Sequence, residues 1–421
     1  MSATVEASIT IPRSAASRWT LTLLVAVAIF INYIDRGNLA TAAPLIKTDL
    51  HLNNLQIGLL TSAFFAAYVP AQIAAGWVVD RLGGFLGLAL GFALWSLATA
   101  LTGLAGGFAT LIGLRVLLGL GEAVAFPGIS KLFAESVPAA EQGLANSIVQ
   151  AGLSLGPAVG VLAGGALITA LGWRPMFVLF GAVALLWLIP WSLYGRSVRR
   201  SAPRQQPFPP PYREILSQRA LWGATLGHFC QLIGLYFVLS WMPLWLVAQR
   251  GFSLIEMSRL LGAVYVVAAA ASVFSGWLCD RLIGAGYSLN RVRKGMSVIA
   301  HVGGAVGLAG CAAGNDRIVV VSLFVSATFL ITTALWPITQ TLAGPRAAGR
   351  WVGIQNCLAN VAGIIGPVVT GWIVDKTGSF NSAFVLASLI VIAGAFGWGL
   401  VIERVEPVIW KSRGEEKAAP L

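Results

Sequence analysis

The chain has 421 residues, of which 57% are apolar and only 10% are charged, against roughly 25% charged residues in soluble domains. This composition excludes an ordinary soluble domain and predicts a bilayer protein with many spans. The formal net charge of +12 would suit a nucleic-acid-binding protein, but the basic residues lie between apolar segments, so we expect no nucleic-acid partner. The four cysteines show no metal or redox spacing, and we expect no metal site.

Residues 1–18 are polar and predict a short cytoplasmic tail, without the pattern of a signal peptide. Apolar segments of about 20 residues, the length that crosses a bilayer, follow with short breaks. Because their number is even, both termini are expected on one side. The twelve predicted spans are 19–41, 55–79, 85–104, 109–130, 143–168, 175–194, 220–247, 255–279, 295–313, 318–342, 350–373 and 381–402.

Most lysines and arginines lie on the side of the termini, which the positive-inside rule places in the cytoplasm. The longest interruption, 195–219, is rich in arginine, contains the run PFPPP and suits contact with anionic lipid. We interpret it as a cytoplasmic basic linker. The predicted domains are an N-terminal six-helix bundle (1–194), this linker (195–219) and a C-terminal six-helix bundle (220–421).

The two halves repeat. GWVVDRL beginning at Gly76 recurs as GWLCDRL beginning at Gly276, an offset of 200 residues. Equivalent helices in the same membrane sense predict two parallel bundles about an axis along the membrane normal. In such folds a binding site lies between the bundles, and rocking exposes it alternately to the two sides.

This doubled G-x-x-x-D-R signal, with R-x-x-x-G-x-G-x-A at Arg115–Ala123, resembles the major facilitator superfamily. NYIDRGN, E-A-x-A-F-P at Glu122–Pro127 and W-M-P-L-W-L at Trp241–Leu246 resemble its anion:cation symporter branch, whose bacterial members import sugar acids and related carboxylates with protons. The resemblance implies an all-α membrane protein with twelve transmembrane helices. DRLGG in the first loop and Gln142 before the fifth helix depart from the family pattern.

The function implied by this resemblance is proton-coupled import of a small organic anion by alternating access, with the proton gradient as driving force and no cofactor. The expected partners are the anion, protons and the lipid bilayer, and the expected unit is a monomer in a prokaryotic cytoplasmic membrane. Proton-driven efflux, anion uniport or exchange, and a non-transporting sensor remain alternatives. No catalytic constellation appears, so we expect no enzyme.

The ionisable residues placed deep in the membrane, away from the ends of the predicted spans, all fall in the first half: Asp35, Arg36, Arg115 and Glu122. A charge at mid-bilayer costs about 2.5–3.5 kcal/mol on insertion scales, so something must offset it. Under the repeat, Asp35 and Arg36 correspond to Leu235 and Tyr236, so the second bundle forms without these charges. We therefore interpret the four as functional; the alternative is that Asp35 and Arg36 end a helix and reach water.

An arginine in a cavity presents a planar fork that matches a carboxylate in two hydrogen bonds. The resemblance implies that Arg36 binds the substrate carboxylate, that Asp35 and Glu122 are protonation sites, and that Arg115 is the charge partner of one of them. Of the two acids, Asp35 is expected to link proton and substrate directly, because it neighbours Arg36.

Polar and aromatic residues on other helices form a second set of candidates. They either contact substrate or join helices, a role worth about 0.6 kcal/mol each in membranes. Asn356 has a counterpart, Asn146, in the first half, so packing is at least as plausible for it. The predicted substrate contacts besides Arg36 are Tyr33, Tyr68, Gln150, Trp336, Asn356 and Asn360.

The repeated Asp–Arg pairs form the last set, and by resemblance they are gate residues: Asp80, Arg81, Asp280 and Arg281. A separate run, G-x-x-x-G-P-x-x-G from Gly152 to Gly160, lets helices approach closely and also resembles a signature of drug–proton antiporters. This run keeps efflux open as an alternative, although its partial copy in the second half favours a structural role.

Overall fold

The structure, a computed structural model, describes residues 14–52, 54–199, 209–332 and 334–410. Most of the predicted N-terminal tail and part of the predicted linker, 200–208, lie outside this part. The helices are α1 (Ala15–Asp49), α2 (Asn54–Leu82), α3 (Gly84–Thr102), α4 (Phe108–Glu122), α5 (Ala125–Ser136), α6 (Gln142–Leu171), α7 (Trp173–Leu185), α8 (Leu188–Arg199), α9 (Tyr212–Leu216), α10 (Arg219–Ala248), α11 (Leu254–Gly284), α12 (Leu289–Ala313), α13 (Asp316–Ile331), α14 (Leu335–Asn360), α15 (Ala362–Thr377) and α16 (Asn381–Phe396), with a π-helical turn at Gly397–Val401.

Within the described residues, 11 stretches are long and apolar enough to cross a membrane. One of them, Asp316–Thr377, has 62 residues and is interrupted at Gly344, whose φ of 60° and ψ of 178° are not helical. The break divides the stretch into two parts of about 30 residues, and each is about 45 Å long at about 1.5 Å per residue, enough for one crossing of a bilayer core of about 30 Å. It therefore crosses twice, turning at Gly344, and the all-α fold with twelve crossings is confirmed.

Both ends of the described chain lie on one membrane face, called here the terminal face. Near the first helix, Arg18 pairs with Glu141 at 2.6 Å. Near the last described residue, the indole of Trp410 donates to the carbonyl oxygen of Ala343 at 3.0 Å. Arg293 joins these regions, because its guanidinium donates to the carbonyl of Ala139 and to the hydroxyl of Thr341.

The first and second halves of the chain pack through α2 and α5 against α14, and through α6 against α11. Glycines allow these helices to approach closely. A Cβ added at Gly353 would lie 2.4 Å from the carbonyl oxygen of Gln72, and one at Gly76 would lie 2.5 Å from that of Gly349. The division into two six-helix domains stays a prediction; α8 continues into the predicted linker as far as Arg199.

A larger residue in this interface should destabilise the structure. In Gly353→Ala the methyl group meets backbone and not a movable side chain, so α2 and α14 must separate, at a cost of about 1–3 kcal/mol. We expect a melting temperature lowered by several degrees, measured in detergent. The control is Gly262→Ala in α11, where a Cβ has no neighbour within 4 Å and alanine favours the helix. Equal stability of the two variants would contradict this packing.

Candidate functional site

The centre of the site is an ion pair between α1 and α4. Arg36 donates from Nε to Oε2 of Glu122 at 2.9 Å. The side chain of Glu122 is fully buried at the last residue of α4, whereas that of Arg36 is 17% exposed. Among the described residues, the two terminal nitrogens of Arg36 make no hydrogen bond. Part of the guanidinium fork is therefore left for a ligand.

Aromatic rings surround the Arg36 guanidinium. Its central carbon lies 4.6 Å from the ring centroid of Tyr33, 4.8 Å from that of Tyr68 and 5.2 Å from that of Phe64. Such contacts stabilise a cation where few waters solvate it. They fix the direction of the fork without neutralising its charge, so Arg36 still attracts an anion.

The structure separates Asp35 from this cation, although the two residues are adjacent in sequence. Consecutive helical residues point about 100° apart. Asp35 is buried, accepts a hydrogen bond from the amide of Asn38 at 3.3 Å and lies beside Thr99 of α3. In this conformation the acid bonded to Arg36 is Glu122, and the role of Asp35 as a protonation site stays a prediction.

Arg115 lies between the two acids. Its guanidinium interacts electrostatically with both Asp35 and Glu122, and its Nε donates to the carbonyl oxygen of Leu60 at 3.3 Å. The buried group therefore holds two carboxylates and two guanidinium ions, which sum to zero charge when all are ionised.

Trp336 joins the two halves from the start of α14. Its ring stacks on Phe126 of α5, with 5.0 Å between centroids, and His228 of α10 contacts it edge-on at 5.3 Å. Trp336 and Gln150 line one cavity together with Asn146 and Thr332. The structure thus brings together two of the predicted substrate contacts from opposite halves.

A chain of hydrogen bonds crosses from α10 to α2. The hydroxyl of Tyr236 donates to Oδ1 of Asn360 at 2.7 Å, and Asn360 donates from Nδ2 to Oδ1 of Asn356 at 2.9 Å. Asn356 in turn donates to Oε1 of Gln72 at 2.7 Å. In this conformation Asn356 therefore joins the halves, while Asn360 carries the chain toward Tyr236. Tyr236 is the residue that corresponds to Arg36 under the 200-residue repeat, but the repeat alone assigns it no role.

Two aspartates clamp the terminal face. Asp80 of α2 accepts hydrogen bonds from the backbone nitrogens of Gly349 at 3.1 Å and Arg350 at 2.8 Å. Asp280 of α11 does the same with Gly143 at 2.9 Å and Leu144 at 2.7 Å. Each carboxylate thus binds a helix of the opposite half, close to where that helix begins, as a gate residue would.

The neighbouring arginines lie outside these clamps. Arg81 and Arg281 pack over Trp77 and Trp277, at 5.1 and 5.4 Å from the ring centroids. Their gating role stays a prediction.

Lys131 belongs to the Asp80 clamp, and the sequence did not predict this contact. It is buried in the middle of α5, lies 3.4 Å from Asp80 and donates to the carbonyl oxygen of Pro345. It also lies 3.6 Å from Glu135, four residues further along the helix. That i, i+4 spacing in a largely apolar segment was the available signal.

Comparison with known proteins agrees with this architecture. Residues 25–344 match the sequence pattern that defines the Major Facilitator Superfamily. The chain is 30% identical over 410 residues to a probable sulfoacetate transporter of Cupriavidus necator, covering 92% of this chain and 94% of that one. It is 30% identical over 405 residues to a hexuronate transporter of Bacillus subtilis, covering 93% and 95%. A D-galactonate transporter of Escherichia coli is 27% identical over 418 residues, covering 93% and 97%.

Solved structures share the fold at lower identity. The proton:xylose symporter XylE superposes with a TM-score of 0.76 at 15% identity, covering 94% of this chain and 98% of that one. The Escherichia coli fucose:proton symporter FucP gives a TM-score of 0.72 at 16% identity, covering 92% and 100%.

The geometry of Arg36 leads to a first test of the site. Arg36→Lys keeps the positive charge but removes the planar fork, so we expect the dissociation constant for D-glucuronate to rise more than tenfold. Titration of the purified protein, followed by tryptophan fluorescence, measures this. Arg174→Lys is the control, because Arg174 pairs with Asp49 at an exposed position. If Arg36→Lys binds D-glucuronate as tightly as the wild-type protein does, Arg36 is not part of the binding site.

Proposed function

Because this chain belongs to the Major Facilitator Superfamily, we propose that it is a proton-coupled secondary transporter that imports a small organic anion by alternating access. The chain is a multi-pass membrane protein and a transporter, not an enzyme. The proposed substrate is a sugar acid of the hexuronate or aldonate type. The proposed location is a prokaryotic cytoplasmic membrane, with both termini in the cytoplasm.

The observation that carries this proposal is the state of Arg36. A partly exposed arginine with one nitrogen on Glu122, and its terminal nitrogens without a partner among the described residues, is suited to an entering carboxylate. A carboxylate accepts two parallel hydrogen bonds from such a fork. The names of the curated relatives, which include hexuronate, galactonate and sulfoacetate transporters, support an anionic substrate.

Proton coupling follows from charge balance. The two carboxylates and two guanidinium ions at the site cancel, so an added substrate carboxylate leaves one uncompensated negative charge. Such a charge is costly where the dielectric constant is low. Protonation of one site acid removes it. Since the substrate and Glu122 compete for the same guanidinium, Glu122 is the acid whose environment changes most when substrate binds.

Alternating access fits the clamps at the terminal face. In this conformation Asp80 and Asp280 hold the two halves together at that face. Import then requires that these clamps break after substrate and proton have bound.

The alternative function is efflux by a proton antiporter. The glycine run from Gly152 to Gly160, which resembles an antiporter signature, has a packing role in this structure. Cβ atoms added at Gly152, Gly156 and Gly160 would lie 2.7–2.9 Å from carbonyl oxygens of α1. The glycine run therefore seats α6 against α1 within the first half, which favours its structural role.

The direction of coupling is tested in proteoliposomes. Acidifying the outside should drive accumulation of labelled D-glucuronate above its external concentration, because protons entering with the anion supply the free energy. A protonophore should abolish the accumulation. If the imposed gradient instead drives the anion out against the proton flow, the antiporter is correct.

The Glu122→Gln variant tests the coupling of transport to protons separately from the movement of the anion across the membrane. The variant mimics the protonated acid, so we expect it to abolish accumulation driven by a pH gradient while retaining substantial counterflow between two pools of the same anion. Asp49→Asn, which removes an exposed carboxylate, should change neither measurement. Full gradient-driven accumulation in Glu122→Gln would exclude Glu122 as the coupling acid.

A further inference from the structure

Tyr236 lies in the second half at the position that the 200-residue repeat pairs with Arg36. It is partly exposed, and its ring meets that of Phe65 of α2 edge-on, with 6.5 Å between centroids. Phe65 in turn contacts Phe64, one of the rings around the Arg36 guanidinium, so Tyr236 lies near the Arg36 site. Gly363 makes room for its ring, since a Cβ there would lie 2.9 Å from Cε2 of Tyr236. The second half thus presents a hydroxyl where the first half presents a cation.

The direction of the hydrogen bonds around Tyr236 is fixed. The amide nitrogen of Asn360 donates to the backbone carbonyl oxygen of Asn356 at 2.8 Å. Because a carbonyl oxygen can only accept, the group that faces it must be the NH2 group of Asn360 and not its amide oxygen. The amide oxygen of Asn360 must therefore face Tyr236, and the Tyr236 hydroxyl must donate to it, at 2.7 Å. Its single proton is committed, and only its lone pairs remain for a ligand.

We propose that Tyr236 is a specificity-determining residue that accepts a hydrogen bond from a hydroxyl group at the end of the substrate remote from its carboxylate. An acceptor-only oxygen binds alcohols well and a second carboxylate badly, because two acceptors facing each other leave both unpaired. This inference rests on the proposed function. It narrows the substrate class to polyhydroxy monocarboxylates, of the aldonate and hexuronate type, and disfavours dicarboxylates.

The test uses three six-carbon acids that differ at their ends. D-Gluconate and D-glucuronate carry one carboxylate, whereas D-glucarate carries a carboxylate at each end. Competition against uptake of labelled D-glucuronate in proteoliposomes gives their relative affinities. The wild-type protein should bind the two monoacids at least tenfold more tightly than the diacid.

Tyr236→Phe should weaken binding of the monoacids about tenfold and leave D-glucarate within twofold, so that the preference collapses. Tyr194→Phe is the matched control, because the Tyr194 hydroxyl donates to the carbonyl of Ser17 at the terminal face. Retained affinity for D-glucarate would show that the variant is folded, because a general loss of structure would weaken all three acids equally.

The contrary results are distinct. If the wild-type protein prefers monoacids and a Tyr236→Phe variant with an unchanged melting temperature keeps that preference, or loses affinity for all three acids alike, the role of Tyr236 is overturned while the proposed function stands. If the wild-type protein prefers D-glucarate, hydroxyl recognition is wrong but anion import stands. If none of the three acids is taken up and none acts as a competitor, both the proposed substrate class and this inference fail.

Discussion

The ion pair between Arg36 and Glu122 is the interaction on which the proposed function depends. Two unit charges 4 Å apart attract by about 4 kcal/mol at an effective dielectric constant of 20, but much of that gain offsets the cost of removing them from water. Losing one partner is expensive, about 3–5 kcal/mol, because the other charge stays buried. A substrate carboxylate can replace Glu122 on Arg36 without that penalty only when Glu122 is protonated, so in the proposed mechanism exchange of partners is tied to a proton.

The clamps at the terminal face use carboxylates differently. Asp280 binds backbone nitrogens in the first turn of α6, where the helix dipole adds partial positive charge, and Asp80 binds backbone nitrogens of α14 a few residues after its break at Gly344. When such a clamp breaks, the carboxylate returns to water. The partner helix contributes only backbone nitrogens to the clamp, so no charged side chain of that helix is left buried without a counter-ion. The two clamps are unequal, because Lys131 reinforces only the first. The first clamp therefore also holds a buried cation that must be accommodated when the halves separate.

The sequence predicted the twelve crossings and the internal repeat because bilayer thickness sets helix length and the duplicated motif is local. It also identified the four charged residues of the candidate site. It could not assign their partners: Asp35 and Arg36 are adjacent, yet helical geometry turns them toward different surroundings. Lys131 was counted among the basic residues that set orientation, because it ends a span. The bond from Asn356 to Gln72 joins residues 284 positions apart, and no periodicity connects them.

The halves share a scaffold but divide the chemistry. In a transporter that works by rocking two bundles, ion pairs between the bundles would be stretched in every cycle. Here Arg36 and Glu122 belong to the same half, so their distance does not depend on the rocking, and the charge of the site responds to substrate and protons instead. The opposite wall contributes neutral groups, Tyr236 and Asn360, whose hydrogen bonds cost less to break than ion pairs. Placing charge in one half and neutral recognition in the other thus lets the cavity bind an anion firmly and still open.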